Sequence, residues 1–275
     1  MTAAGRELAG TVAMITGASR GLGRAMALSL AGQGARIALC ASAEGSALAA
    51  IAREALAAGA GAVSTHAFDV ADPAACVQAH AAAEAALGPV TALVNNAGLG
   101  MRLISERFNT EPTRFWEAEP EAWARIIATN VNGAFHMARA VTPGMIARGG
   151  GKIVNISTSD LTMVRRGYAP YGPSKAALEA ASRVWAQDLD GTGVTVNVFL
   201  PGGAADTDLL PPGPEKKGAD GNLLSPQVMA AGIAWLCGPA SDGVTGRRFI
   251  GRHWTVPGAP PPEAVSPPVA RPSIL

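Results

Sequence analysis

Short apolar runs with the character of buried strands alternate along this chain with longer, alanine-rich runs of helical period. That alternation limits the fold more than any other feature of the sequence. Strands are predicted at Val12–Ile15, Arg36–Cys40, Ala62–Phe68, Val90–Val94, Ile153–Ile156, Val194–Phe199 and Arg247–Ile250, and helices near 22–31, 46–58, 73–87, 120–147, 171–189 and 226–237. Neighbouring parallel strands need a connection long enough to hold a helix, so this rhythm implies an α/β fold: a doubly wound parallel sheet covered on both faces, with right-handed crossovers. Unbroken apolar strands such as "VAMI" and "ALV" suit burial on both sides. A length of 275 residues fits one such domain, expected over 1–256. Two segments fall outside the rhythm. "PPGPEKKGADGNLLSP", 211–226, belongs to a mobile loop expected at about 204–225, and the proline-rich tail 257–275 reads as an extended strap or as disordered. There is no internal repeat.

Composition removes several functional classes. A net charge of +1 with 16% charged residues gives no basic field for nucleic acid. Cys40, Cys76 and Cys237 are scattered and odd in number, with no CxxC or Cys/His cluster, so neither a disulfide framework nor a metal site is expected. "MTAAGRELAGTVAMITG" lacks the layout of a signal peptide, and no apolar run reaches the roughly 18 residues of a membrane span. "NIS" at Asn155 matches a glycosylation sequon but ends a predicted buried strand, and reads as chance. The expectation is a cytoplasmic protein with no membrane and no nucleic-acid partner.

The turn after the first strand, "TGASRGLG", leads directly into a helix, as a phosphate-binding loop must. Its candidate cofactor contacts are Gly17, Ser19, Arg20, Gly21, Leu22 and Gly23. Gly17 allows a tight turn, and Gly21 and Gly23 let a pyrophosphate approach the backbone at the positive helix N-terminus. The spacing is G-x3-G-x-G, and a glycine-rich turn by itself often serves geometry alone. At the end of the second strand an NAD site would place a carboxylate on the ribose hydroxyls; here Cys40, Ala41 and Ser42 stand instead. Arg20 could meet a 2′-phosphate, so NADP(H) is preferred, while Glu44 leaves NAD(H) open. Asp69, followed by Val70, could accept from an adenine amino group or cap the next turn. Asn96, Ala97 and Gly98 end the fourth strand in small residues that suit close approach of a cofactor.

In "YGPSK", Tyr171 and Lys175 are four residues apart at the start of a helix, so both project from one face. Pro173 is harmless in a first turn. A phenol titrates near 10, and a fixed ammonium beside it is expected to lower that value until the tyrosine can exchange a proton with an alcohol or alkoxide. Y-x-x-x-K also occurs by chance in many helices. Tyr168 has no lysine at the matching offset and reads as a pocket aromatic.

Taken together and in order, "TGASRGLG", "NNAG", "ATNVNGAF", "NISTS" and "YGPSK" resemble the motifs of short-chain dehydrogenases/reductases, over roughly residues 8 to 250. The resemblance implies a Rossmann-type sheet of seven parallel strands, an NAD(P)(H) cofactor and hydride exchange with a ketone or secondary alcohol. It implies that Asn130 holds a water linking the lysine to solvent, that Tyr171 is the acid–base group and that Lys175 binds the nicotinamide ribose. By the same resemblance Pro201 and Gly202 pack on the nicotinamide and Thr207 holds its carboxamide. The family's serine stands thirteen residues before the tyrosine, which here is Thr158; a loop one residue shorter would present Ser159. Homodimers or homotetramers through the two long helices are the implied assembly. A binding protein that kept the fold but lost the chemistry is the alternative from another class, and a sugar epimerase or dehydratase on the same fold is a third. The connection 99–116 is longer than usual; Arg102 or Arg114 there could face an anion or be surface charge, and Met163, Arg165 and Arg166 should border the pocket.

Overall fold

A computed structural model describes residues 7–213, 216–218 and 221–266. Its strands are β1 (Val12–Thr16), β2 (Arg36–Ala41), β3 (Ala62–Ala67), β4 (Ala92–Asn95), β5 (Gly151–Ile156), β6 (Val194–Leu200) and β7 (Arg248–Ile250). They form a seven-stranded, wholly parallel sheet in the order β3-β2-β1-β4-β5-β6-β7. The helices are α1 (Gly21–Gly32), α2 (Ser46–Ala58), α3 (Pro73–Leu87), α4 (Pro120–Ile127), α5 (Gly133–Ala147), the single turn α6 (Asp160–Met163), α7 (Tyr171–Asp188) and α8 (Ala230–Cys237). The strand order reverses between β1 and β4, and at such a switch point the loops leaving the carboxyl ends of the strands part to leave a crevice.

The pleat of β1 divides the core in two. Ala13 and Ile15 face a cluster with Leu30 of α1, Ile51 of α2 and Leu236 of α8, whereas Val12 and Met14 face Cys76 of α3, Met137 of α5 and Ala186 of α7. Every residue of β1 and β6 is buried, as the unbroken apolar strands require, while the edge strand β3 is only partly covered. Burying a side chain such as Ile15 completely contributes roughly 1.5–3 kcal/mol. Trp254 closes one end of the first cluster, its ring centroid 5.5 Å from Trp235 and 5.7 Å from Phe249; it is a packed core aromatic.

Local chemistry sets the element boundaries. Asp72 caps α3 by accepting from the amides of Ala74 (2.8 Å) and Ala75 (3.1 Å), and Pro73 follows where no donor is needed. The fourth strand begins two residues later than predicted because Val90 gives its amide to Glu84 Oε1, 3.0 Å away, instead of to the ladder. The predicted helix 226–237 opens as a 3-10 turn, Pro226–Met229. The predicted helix 120–147 is split by a π turn, Ala128–Asn132, between α4 and α5, and the cause lies in what Asn130 must reach.

The loop near 204–225 is closed at its base, where Leu224 donates to Ala204 O and Asp206 to Leu224 O, both at 2.8 Å. The described part of the tail runs along β7: Val265 bridges Phe249, and the Ser266 amide donates to Arg248 O at 2.9 Å. From residue 267 on, the predicted tail lies outside the described residues.

Candidate active site

The crevice holds a cavity of about 680 Å³ at the carboxyl ends of the strands. Gly17, Ser19, Arg20, Gly21 and Leu22 line it from the first turn, with Ser42 after β2, Asp69 and Val70 after β3, and Asn96, Ala97 and Gly98 after β4. Ser159, Tyr171, Lys175, Pro201, Gly202 and Thr207 complete the wall. Gly23, Asn130 and Thr158 stand behind it.

Thr16, which the sequence reading passed over, ties the two halves of the sheet together here. Its Oγ1 accepts from the amides of Asn96 and Ala97, each at 3.0 Å, and Asn96 Nδ2 donates back to the carbonyls of Thr16 (2.9 Å) and Gly17 (3.0 Å). A hydroxyl residue ending an apolar strand just before a glycine turn was the available signal. Gly17 and Gly21 take φ of +64° and +56°, conformations that leave their amides open to a ligand. Gly23 has a different task from the one expected. A Cβ there would lie 2.2 Å from Gly17 O, so its bare α-carbon serves close packing of helix on turn. The first turn of α1 has no side-chain cap, so its amides remain available to an anion.

Asp69 caps the following turn, accepting from the Ala71 amide at 2.9 Å, and pairs with Arg125 of α4 at 2.7 Å. Burial pushes its carboxyl up, but the bonds from Arg125 and Ala71 outweigh that and hold it below the usual range. Arg125 also lines the cavity; nothing in the sequence links it to a residue so distant. Ser42 is exposed at the mouth, and Glu44 is exposed outside the lining residues. Arg20 faces Asp208 at 3.5 Å, with both side chains largely in solvent.

Around Tyr171 the elements converge. Asn130, held by the π turn, accepts from the Leu99 amide at 2.8 Å and donates to Leu99 O and to Ser174 Oγ, each at 3.0 Å. It thus joins the loop after β4 to α7, which explains an extra residue in that turn. Lys175 is buried and donates to Ile156 O at 2.9 Å. At Gly98 a Cβ would make ordinary contact, 3.4 Å from Asn130 Oδ1 and 3.6 Å from Lys175 Nζ. The Thr158 side chain stands near Tyr171, where it favours the phenolate, whereas the Ser159 hydroxyl is engaged 2.9 Å from Thr162 Oγ1 at the start of α6.

The expected acidification of Tyr171 is absent. Burial pushes its phenol up to about 12, with the nearby Thr158 side chain acting the other way, and burial likewise lowers Lys175 to about 8 despite Glu179. Removing water from both groups disfavours their charged forms more than the i,i+4 spacing favours them. The hydroxyls of Ser157 and Thr129 are buried on the cavity wall without a protein partner. These unpaired hydroxyls, the two left-handed glycines and the uncapped helix end fit a ligand as polar as a dinucleotide. Among the described residues no group of three or more His, Cys, Asp or Glu side chains could hold a metal, and no helix is long and apolar enough to cross a membrane.

Residues 11–217 match the family model for short chain dehydrogenase. A short-chain type dehydrogenase/reductase from Picea abies is 36% identical over 224 residues, covering 79% of each chain. Among solved structures, gluconate 5-dehydrogenase from Burkholderia cenocepacia in complex with NADP and tartrate superposes with a TM-score of 0.75 at 29% identity, over 88% of this chain and 93% of that one. A 3-oxoacyl-[acyl-carrier protein] reductase from Brucella melitensis with bound NAD gives 0.74 at 29% identity, over 87% and 88%.

Proposed function

The chain belongs to the short-chain dehydrogenase family, an NAD(P)-dependent group of enzymes acting on CH–OH or C=O groups, and on that premise we propose that it is an NADP(H)-dependent reductase of a ketone whose proton comes from Tyr171. The reading is carried by one observation: Tyr171 and Lys175, one helical turn apart on α7, both line the cavity beside the unpaired hydroxyl of Ser157. A bound nicotinamide would supply the hydride. Tyr171, protonated at neutral pH, gives its proton to the carbonyl oxygen, and in the reverse direction its phenolate takes one from the alcohol. The phenolate left behind is stabilised by the Thr158 hydroxyl and by a protonated Lys175. Lys175 also has the reach to hold ribose hydroxyls, and Asn130 keeps the floor of the site in place. Pro201, Gly202 and Thr207 border the nicotinamide end.

NADP is favoured over NAD because no carboxylate ends β2 where Ser42 stands, while Arg20 lies on the wall in a weakly held surface pair. A 2′-phosphate would offer that guanidinium a stronger partner than Asp208. The NADP in the Burkholderia enzyme agrees with this, and the NAD in the Brucella enzyme marks the competing choice. Exposed Phe135 and Ile146 on α5 and Val184 on α7 support a homodimer or homotetramer built on these helices, which light scattering tests. The three free thiols support a cytoplasmic setting.

The test is NADPH oxidation on a panel of ketones. Turnover is expected with the native chain and a loss of at least a thousandfold in Tyr171→Phe. Tight NADPH binding without turnover on any carbonyl would instead establish the binding-protein alternative.

A further inference from the structure

The long connection after β4 reaches across the cavity to the segment before α7. Phe108, buried within it, meets Tyr168 edge to face, with ring centroids 5.5 Å apart and planes at 77°. Thr113 Oγ1 donates to Gly167 O at 3.0 Å. Gly167 takes φ +80° and lies so near Pro112 that a Cβ would come within 3.0 Å of its Cα. These contacts fix Tyr168, and over its ring lies the guanidinium of Arg165, 4.8 Å from the centroid, with Nη1 3.4 Å from the phenol oxygen. Arg165 and Tyr168 both line the cavity, next to Ser159 and Tyr171.

Arg165 differs from the other arginines of that wall. Arg20 faces Asp208, Arg125 pairs with Asp69, and Arg102 is gripped by both oxygens of Glu106 at 2.8 and 3.0 Å while donating to Asp208 O. Arg252 donates to Gly202 O at 2.9 Å. Arg165 has no carboxylate partner among the described residues. A guanidinium stacked on an aromatic ring is oriented in advance, yet its donor edge stays open to a planar anion. The apolar side chains of Leu99, Met101 and Leu209 line the same cavity.

Resting on the reductase reading above, we propose that Arg165 selects the substrate by its carboxylate, and that the substrate is an oxo acid, reduced to the corresponding hydroxy acid. One unpaired guanidinium balances one negative charge, which suits a carboxylate better than a phosphate dianion. The carbonyl carbon takes a hydride from the reduced nicotinamide and the oxygen takes the Tyr171 proton, while the carboxylate is unchanged and the carbon chain lies on the apolar wall.

The experiment measures NADPH oxidation with 2-, 3- and 4-oxopentanoate, their methyl esters, and 2- and 3-pentanone. At least one acid is expected to exceed its ester tenfold or more in kcat/KM. Arg165→Met should erase that preference through a KM raised at least tenfold more for the acid than for its ester; Arg165→Lys should restore part of it. Esters reduced as well as acids, or a preference that survives in Arg165→Met, would overturn the assignment while leaving the reductase standing. No NADPH oxidation with any compound would sink the reductase reading and this assignment together.

Discussion

Arg248 of β7 points its Nε midway between the carboxylate oxygens of Glu179, 3.1 Å from each, and so fastens the last strand to α7 one turn beyond Lys175. The same guanidinium donates to Thr158 O at 3.0 Å, Asp160 Oδ1 at 2.6 Å and Ser266 Oγ at 3.1 Å. It therefore joins the tyrosine's helix, the turn carrying Thr158 and the tail.

Replacing this hub by Arg248→Gln should strand Glu179, whose carboxylate is mostly covered. A loss of about 2–4 kcal/mol is expected for a half-removed buried pair, measured by urea unfolding. The double variant with Glu179→Gln should recover part of that loss, and two additive losses would show that the pair is not coupled.

The Lys175 ammonium gives stability a definite pH dependence in the free protein. Its folded value, about 8, lies below the unfolded 10.5, so the cost of burying the charge is fully present below pH 8. Between pH 8 and 10.5 the unfolded chain binds more protons than the folded one, and stability rises as the folded lysine sheds its charge. Tyr171 acts oppositely above pH 10, where the unfolded phenol ionises and the folded one, at about 12, does not. Melts in the absence of cofactor should therefore gain roughly 2–3 kcal/mol from pH 7.5 to 10 apart from other groups, and Lys175→Met should lack that gain.

Arg20→Ala should weaken NADPH binding roughly tenfold, the worth of one charge-assisted contact in solvent, and leave NADH binding nearly unchanged. Ser42→Asp should favour NADH by placing a carboxylate at the end of β2. Nucleotide fluorescence titrations read both, and equal losses for the two nucleotides in Arg20→Ala would put the 2′-phosphate elsewhere.

Gly23→Ala tests the packing role of that glycine. With a methyl directed 2.2 Å from Gly17 O, the turn and α1 must separate, at a cost of about 1–3 kcal/mol. Loss of stability in the nucleotide-free protein distinguishes this from a defect confined to phosphate binding.

The sheet and its helices were legible because hydrophobic period and strand length are local properties; the alternation from Val12 to Ile250 contains the whole architecture. Gly17, Gly21, Tyr171 and Lys175 were legible as candidates for the same reason, since each belongs to a short motif. What was hidden depends on distance in the chain. Arg125 meets Asp69 and Arg248 meets Glu179 only once the crossovers are wound. The π turn at Asn130 interrupts no apolar pattern. The phenol's upward shift reflects burial, which a Tyr–Lys interval does not encode.

The reversal of strand order beside β1 means that the passage from α3 into β4 is the seam of the whole design. The amino-terminal piece carries the glycine turn and Asp69; the piece beyond the seam carries Asn130, Thr158, Tyr171 and Lys175. Neither piece owns the whole candidate site, and Thr16 with Asn96 stitches the halves back together at the point where both meet.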